Sequence, residues 1–305
     1  MQDIDIVIVG AGVAGLTAAM VAAHHGMKVV VVDRTGVGGQ IGTAERIENF
    51  PGFPQGIAGH ELGPLLHEQA EAAGAEFMLD TIEAIEPADG SFLVRGADAL
   101  RACAVIVAAG STLRALGIPG EAPFLGKGVS HCASCDGPFF KGAEVVVVGG
   151  GDSALDEALV LAAHAARVTV VHRGASLCAQ QSIVARASAE PKVAILLDTV
   201  VEEIVGSDAV SGVRLRDRNS GEARLQPVKG VFVHVGLEPN TKFLRGLVAL
   251  DGTGHIETDA MMQTSRPGLF AAGDIRKGSV ALVAAVAGDG ATAAVAAVRY
   301  VRMRA

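Results

Sequence analysis

The chain has 305 residues, half of them apolar, and 33 acidic against 25 basic side chains give a formal net charge of −8. That length exceeds one ordinary compact domain, so two domains are expected. An acidic balance with no basic block excludes nucleic acid and anionic lipid as main partners, because both require a concentrated cationic surface.

Residues 4–9 are a continuous β-branched run, the pattern of a strand covered on both faces, and Gly10-Ala11-Gly12-Val13-Ala14-Gly15 follows at once. A helix over 16–25 and a strand over 28–32 that ends on Asp33 complete a βαβ unit. Gly10, Gly12 and Gly15 would let backbone N–H groups and a helix N-terminus approach a pyrophosphate, while Asp33 stands where a carboxylate binds a ribose diol. The alternative is a glycine-rich turn without a ligand, and the strand, helix and acid together favour the phosphate site. This apolar stretch is interrupted by Gly10, Gly12, Gly15, His24, His25 and Gly26 and lacks a basic leader or cleavage site. Neither export nor a membrane span is expected, and the cytoplasm is the default compartment.

A helix near 59–73, short strands near 76–85 and 91–94, and a strand over 105–108 come next, before Gly110. Cys103 reads as a small, buried strand residue. Cys132-Ala133-Ser134-Cys135-Asp136-Gly137 then precedes an apolar strand over 144–148. Two thiols at this spacing can close a disulfide within one turn, and beside a nucleotide fold such a bond points to electron transfer. With four cysteines in all, a structural disulfide framework is excluded, and only Cys132 and Cys135 are spaced for redox work. The βαβ grammar returns in Gly149-Gly150-Gly151-Asp152-Ser153-Ala154, a helix to about residue 166 and a strand over 167–171. This second turn ends in Ala154 instead of a third glycine, and its strand ends at His172-Arg173 instead of an acid. Cys178 stands alone and reads as inert. Segments 200–205 and 213–217 suggest a small β meander, 230–235 another buried strand, and an Ala-rich helix runs to about residue 303. Arg299, Arg302 and Arg304 suit the negative end of that helix. Gly117-Ile118-Pro119-Gly120 and Gly236-Leu237-Glu238-Pro239-Asn240 are the Gly/Pro punctuation between domains.

The expected fold class is therefore α/β, with two Rossmann-like dinucleotide-binding domains, the second inserted into the first. The boundaries drawn are 1–114 with 243–305 for one domain and 115–242 for the other, which carries the Cys132/Cys135 pair.

GAGVAG at Gly10–Gly15, GGQ at Gly38–Gln40, IENFPGFP at Ile47–Pro54, CASCDG at Cys132–Gly137, GGGDSA at Gly149–Ala154 and FAAGD at Phe270–Asp274 together resemble the low-molecular-weight thioredoxin reductase family over nearly the full chain. The resemblance implies FAD in the domain built from both termini, NADH or NADPH in the inserted one, a homodimer, and a thioredoxin-type protein disulfide as partner. It places FAD contacts at Gly10, Gly12, Ala14, Gly15, Asp33, Gly38, Gly39, Gln40, Asn49, Ala109, Gly110, Gly273, Asp274, Ala281 and Leu282. Nicotinamide contacts fall on Gly149, Gly151, Asp152, Ser153, Ala154, His172 and Arg173. Cys135 is the sulfur expected over the flavin, Cys132 the one that attacks the partner, and Asp136 the acid and base. An adjacent carboxylate in a partly dry site suits that role, and capping a helix is the alternative for Asp136. His131 could tune the thiol or simply be a hydrogen-bonded surface residue. No metal ligand set is expected.

Two departures stand out. Family members that use NADPH carry HRRxxxR after the second strand, three cations in place for the 2′-phosphate, whereas here His172-Arg173 continues as Gly174-Ala175-Ser176-Leu177-Cys178. Hydrogen bonds to a charged group contribute roughly 1.5–3 kcal/mol each, so losing two would weaken NADPH binding by about two to four orders of magnitude. NADPH preference is not expected, and no acid positively selects NADH. The alternatives are a ferredoxin or other flavin as donor, a dithiol oxidase using oxygen, or a flavin-bound redox sensor that does not turn over. The second departure is Ala281-Leu282 where the family carries Arg-Gln, read either as tolerated drift or as a changed flavin potential or partner.

Overall fold

β-Branched residues crowd the start of the chain because β1 (Asp3–Val9) is a central strand with apolar cover on either side. Ile6 and Ile8 enter one core cluster, Val7 and Val9 another, and all four are buried. The computed structural model describes residues 3–244 and 246–304. After β1 come α1 (Val13–His24), then β2 (Val29–Asp33), parallel to β1. α2 (Gly59–Ala72), β3 (Glu76–Leu79), β4 (Ala84–Ala88), β5 (Ser91–Arg95) and β6 (Ala99–Val107) follow, giving the order β3-β2-β1-β6-β5-β4. β6 begins earlier than the strand expected at 105–108, because its first residues pair antiparallel with β5 while later ones run parallel to β1. Cys103 lies in β6 but is only partly buried, at the margin of a core cluster, which corrects the expectation of a buried cysteine.

β7 (Ser111–Leu113) carries the chain out of this sheet. The next unit begins with β8 (Val129–Ser130), the single-turn α3 (Ala133–Asp136), β9 (Glu144–Val148), α4 (Asp152–Ala162), β10 (Arg167–Val171), α5 (Gln181–Ala189) and β11 (Val193–Leu196). α4 stops short of residue 166, whose N–H instead bonds Ala143 O at 2.8 Å and leads into β10. β12 (Thr199–Gly206), β13 (Val210–Asp217) and β14 (Ala223–Pro227) make an antiparallel meander. β15 (Gly230–Val233) completes a parallel sheet of order β11-β10-β9-β15-β8. β16 (Leu237–Pro239) leads back, β17 (Leu269–Ala271) adds parallel to β6, and α6 (Val283–Arg302) ends the chain.

The chain divides into two units, Met1–Thr112 with Glu238–Ala305, and Leu113–Leu237. Gly117–Gly120, expected as punctuation between domains, belongs inside the second unit. Ile204 N–H donates to Pro119 O at 2.9 Å, and a Cβ on Gly120 would lie 1.9 Å from Ile204 O, so this loop is packed against β12 and cannot swing as a free linker. In the first unit α1 and α6 touch through small residues: a Cβ on Gly290 would lie 2.1 Å from Ala14 O. Among the described residues no helix is long and apolar enough to cross a membrane.

Candidate functional site

In the first unit the turn after β1 is built by close approach. Gly10 has φ +110°, and a Cβ there would lie 2.3 Å from Ala108 O; one on Gly15 would lie 1.9 Å from Gly10 O. Only glycine permits this packing of helix on strand. Gly12 is different: a Cβ there would meet nothing within 4 Å, so its backbone faces open space at the N-terminus of α1. Asp33, ending β2, accepts the Ala11 N–H at 2.8 Å through Oδ2 and the N–H groups of Thr35 (2.8 Å) and Gly36 (3.0 Å) through Oδ1. With the Thr35 hydroxyl also donating to Oδ1 at 3.1 Å, these bonds hold the carboxylate at the turn and engage Oδ1 fully, while Oδ2, with the Ala11 N–H as its donor, keeps a second lone pair. A cavity of about 110 Å³ opens there, lined by Gly10, Asp33, Ala109 and Asn240 among others.

Gly38 N–H donates to Ala11 O at 2.9 Å, and Gln40 Nε2 donates to Ser111 O at 2.7 Å, so the GGQ segment is tied to the glycine turn and to the strand after Gly110. Asn240 Nδ2 donates to Ala109 O at 2.8 Å, and its N–H to Gly110 O at 3.0 Å. Gly273 comes against Ala14, and Asp274 accepts the Ser279 hydroxyl at 2.8 Å. The fold thus gathers Gly10, Gly12, Ala14, Gly15, Asp33, Gly38, Gly39, Gln40, Ala109, Gly110 and Gly273. Asn49 stands exposed on a separate loop. Ala281 and Leu282 are exposed just before α6, with Ala281 at φ +50°, a left-handed conformation that a residue with a Cβ adopts at a cost.

In the second unit Gly149, Gly151, Asp152, Ser153, Ala154, His172 and Arg173 line one cavity of about 630 Å³, joined by Cys178 and His234. A Cβ on Gly151 would meet nothing within 4 Å, while the His172 ring lies over Gly150. Asp152 is engaged by Gln180, whose N–H and Nε2 each donate to it at 2.6 Å. Cys178, far from α4 in sequence, is held to the turn by its N–H bond to Gly150 O at 2.8 Å.

Cys132 and Cys135 form a disulfide with 5.4 Å between Cα atoms. Cys132 caps α3, its Sγ accepting the Cys135 N–H at 3.2 Å, and its own N–H donates to Ser130 Oγ at 3.1 Å. Asp136 closes the turn, and its side chain caps no helix. His131 Nδ1 lies 3.0 Å from Val233 O.

Sequence reasoning missed Asn240, Glu157 and His234. Glu157 Oε2 accepts the N–H of Ala133, next to Cys132, and His234 Nε2 lies 3.8 Å from that oxygen. Burial pushes Glu157 up to about 7, with Asp156 adding to the rise and the Ala133 N–H opposing it. Burial likewise pushes His234 down to about 4, helped by His131. Burial thus makes His234 neutral at pH 7 and leaves Glu157 about half ionised there, because a low dielectric penalises charge more than their separation rewards it. The available signal was Glu157 at helical spacing behind the second glycine turn, and His234 directly after the apolar run of β15.

The pyridine nucleotide-disulphide oxidoreductase family profile matches residues 4–290. The chain is 42% identical over 300 residues to a thioredoxin reductase of Treponema pallidum, covering 98% of this chain and 97% of that one. The thioredoxin reductase structure from Lactococcus lactis matches with a TM-score of 0.96 at 38% identity, covering 98% of this chain and 99% of the other. That from T. acidophilum matches with a TM-score of 0.94 at 36% identity, with coverage of 98% and 99%. Disulfide oxidoreductase chemistry with FAD and a nicotinamide cofactor is what these relatives share, and they favour it over the ferredoxin, oxidase and sensor alternatives. With two glycine-turn sheets, a closed Cys132–Cys135 pair and this likeness over its whole length, the chain belongs to the pyridine nucleotide-disulphide oxidoreductases and, among them, to the FAD-dependent thioredoxin reductases.

Proposed function

We propose that the first unit holds FAD, that the second binds NADH or NADPH in its large cavity, and that Cys132–Cys135 delivers the electrons to a thioredoxin-type protein disulfide. The observation that carries this reading is the redox-capable disulfide in the same unit as a glycine-turn cavity of about 630 Å³. Both glycine turns fit a dinucleotide: the open space over Gly12 and Gly151 is where a pyrophosphate would approach the backbone N–H groups of α1 and α4. Asp33 would bind the ribose diol, with Gln40, Asn49 and Asp274 about the rest of the flavin. FAD, when bound, relays an electron pair from reduced nicotinamide to a disulfide.

On the protein side, reduction breaks the Cys132–Cys135 bond and leaves a thiol and a thiolate. Cys132 attacks one sulfur of the partner disulfide, the other partner sulfur leaves and takes a proton managed by Asp136, and Cys135 then displaces the reduced partner as the intramolecular disulfide reforms. Cys135 is the more exposed of the two in the oxidised protein, and Phe139 close by is 84% exposed, an apolar contact suited to a protein partner over a small disulfide. We further infer a homodimer, testable by light scattering, and a cytoplasmic setting, the compartment in which thioredoxin-type partners keep thiols reduced.

Rapid anaerobic mixing with NADH or NADPH, followed by flavin bleaching and then reduction of added thioredoxin, tests the whole sequence. The expected result is bleaching by both coenzymes and thiol formation in thioredoxin. Bleaching without thiol transfer would remove the proposed partner.

A further inference from the structure

Glu157 and His234 are placed as no core packing requires. The Glu157 side chain is 13% exposed and that of His234 4%, and among the described residues neither ring nitrogen of His234 has a hydrogen-bond partner. A buried imidazole left in this state is destabilising in itself. Both groups face the segment that carries the disulfide, the carboxyl through the Ala133 N–H directly after Cys132.

We propose that Glu157 and His234 form a buried proton-holding pair for the Cys132–Cys135 couple, binding a proton when the disulfide is reduced and releasing it when the disulfide reforms. The inference rests on the reading of that disulfide as the redox couple. Two electrons break the S–S bond; one proton makes one sulfur a thiol, and the other sulfur remains a thiolate. The Cys135 N–H already directed at Cys132 Sγ supplies that thiolate with a donor. A new negative charge beside Ala133 disfavours the ionised form of Glu157, so the carboxyl takes a second proton from solvent. The balance is one disulfide, one ionised Glu157, two electrons and two protons giving one thiol, one thiolate and one protonated Glu157. His234, neutral at this pH and 3.8 Å from Glu157 Oε2, carries no charge that would hold the carboxyl ionised. When the electron pair leaves for the partner disulfide, the proton is released.

Glu157 is poised for this, because burial already holds it at about 7, where a small added push moves the most protons. The charged and titratable groups that act on the pair are Asp156 on α4, which faces Glu157, and His131 on the disulfide segment, which faces His234. Asp156 reinforces the rise of Glu157, and His131 reinforces the fall of His234. If the thiolate raises Glu157 by about one unit, reduction near neutral pH takes up about half a proton more than the sulfurs alone require.

The test is redox titration of the Cys132–Cys135 couple in the FAD-loaded protein against dithiothreitol buffers, read by thiol alkylation from about pH 6 to about pH 9. In the native protein the reduction equilibrium should carry an extra pH dependence near pH 7 of about threefold per unit, about 15 mV for a two-electron couple. Glu157→Gln, which keeps the acceptor for Ala133 N–H, should lose that component. His234→Phe should move it to another pH without abolishing it. Equal slopes in the native protein and Glu157→Gln would overturn the proposal, as would a uniform shift at every pH, which marks a purely structural role. If the couple does not open in these buffers, or if Cys132→Ser still reduces thioredoxin, the redox-couple reading fails instead.

Discussion

Removing one partner at a time from the Arg276–Asp289 pair should have unequal effects. Asp289, on α6, is 6% exposed and receives Arg276 Nε at 2.5 Å, Arg276 Nη2 at 2.8 Å and the Gly273 N–H at 3.2 Å. Arg276→Met would strand a buried carboxylate whose remaining described donor is Gly273, and breaking a buried pair in this way costs about 3–5 kcal/mol. Asp289→Leu strands instead a guanidinium whose side chain is 18% exposed and which still donates to Lys277 O at 3.2 Å. Water reaches it, so that loss should be about 1–3 kcal/mol. The double replacement removes both charges and leaves apolar groups of similar volume, which should return the protein to within about 1–2 kcal/mol of the native. The assay is urea unfolding of the FAD-loaded protein followed by release of flavin fluorescence, since the pair braces the loop of Gly273 and Asp274. If Asp289→Leu proves the more damaging single change, or if the double mutant equals the sum of the singles, the reasoning is refuted.

Gly12→Ala should fold normally, since its Cβ meets nothing within 4 Å, yet lose FAD affinity by more than about tenfold through blocked phosphate approach, whereas Gly15→Val, driven into Gly10 O, should not fold; equal far-UV spectra for the two would contradict this. Cys132→Ser should show a long-wavelength thiolate-to-flavin absorption that Cys135→Ser lacks, and identical spectra would remove the assignment of the two sulfurs. NADPH should hold little advantage over NADH, and Cys178→Arg with Gly174→Arg should strengthen 2′,5′-ADP binding selectively; Cys178→Arg is the cleaner single step, because a Cβ on Gly174 would lie 2.8 Å from His172 Nε2. Fast native reduction at low NADPH concentration would show that two missing arginines do not matter. Glu157, raised to about 7 from 4.5, lends stability that is full below about pH 4.5 and lost as pH rises through about 7; His234, lowered to about 4 from 6.5, lends stability present above about pH 6.5 and lost as pH falls through about 4. The two slopes oppose each other between these values, so His234→Phe should become more stable on acidification from pH 7 to pH 5 and Glu157→Gln less stable, by up to about 1.4 kcal/mol per unit, measured by urea unfolding.

Local grammar makes much of this protein legible in the amino-acid sequence alone. Two glycine turns after β-branched strands could be read because each needs only neighbours in sequence: close approach at Gly10 and Gly15, and a strand-turn-helix order around them. The Cys132–Cys135 disulfide was likewise visible, since three residues of chain bring its sulfurs within reach. The helix ends and the true extent of β6 were less so, because pairing with β5 on one side and β1 on the other set them. Only tertiary structure decided that Gly117–Gly120 packs into the second unit, that Asn240 binds Ala109 and Gly110, that Arg276 turns to Asp289, and that Glu157 meets His234 beside the disulfide. Those partners lie from 13 to 131 residues apart. Backbone preference acts over a few residues, whereas burial, charge and hydrogen-bond demand act through space, so Glu157 and His234 acquire their opposite pKa shifts only once the sheet and α4 have buried them side by side.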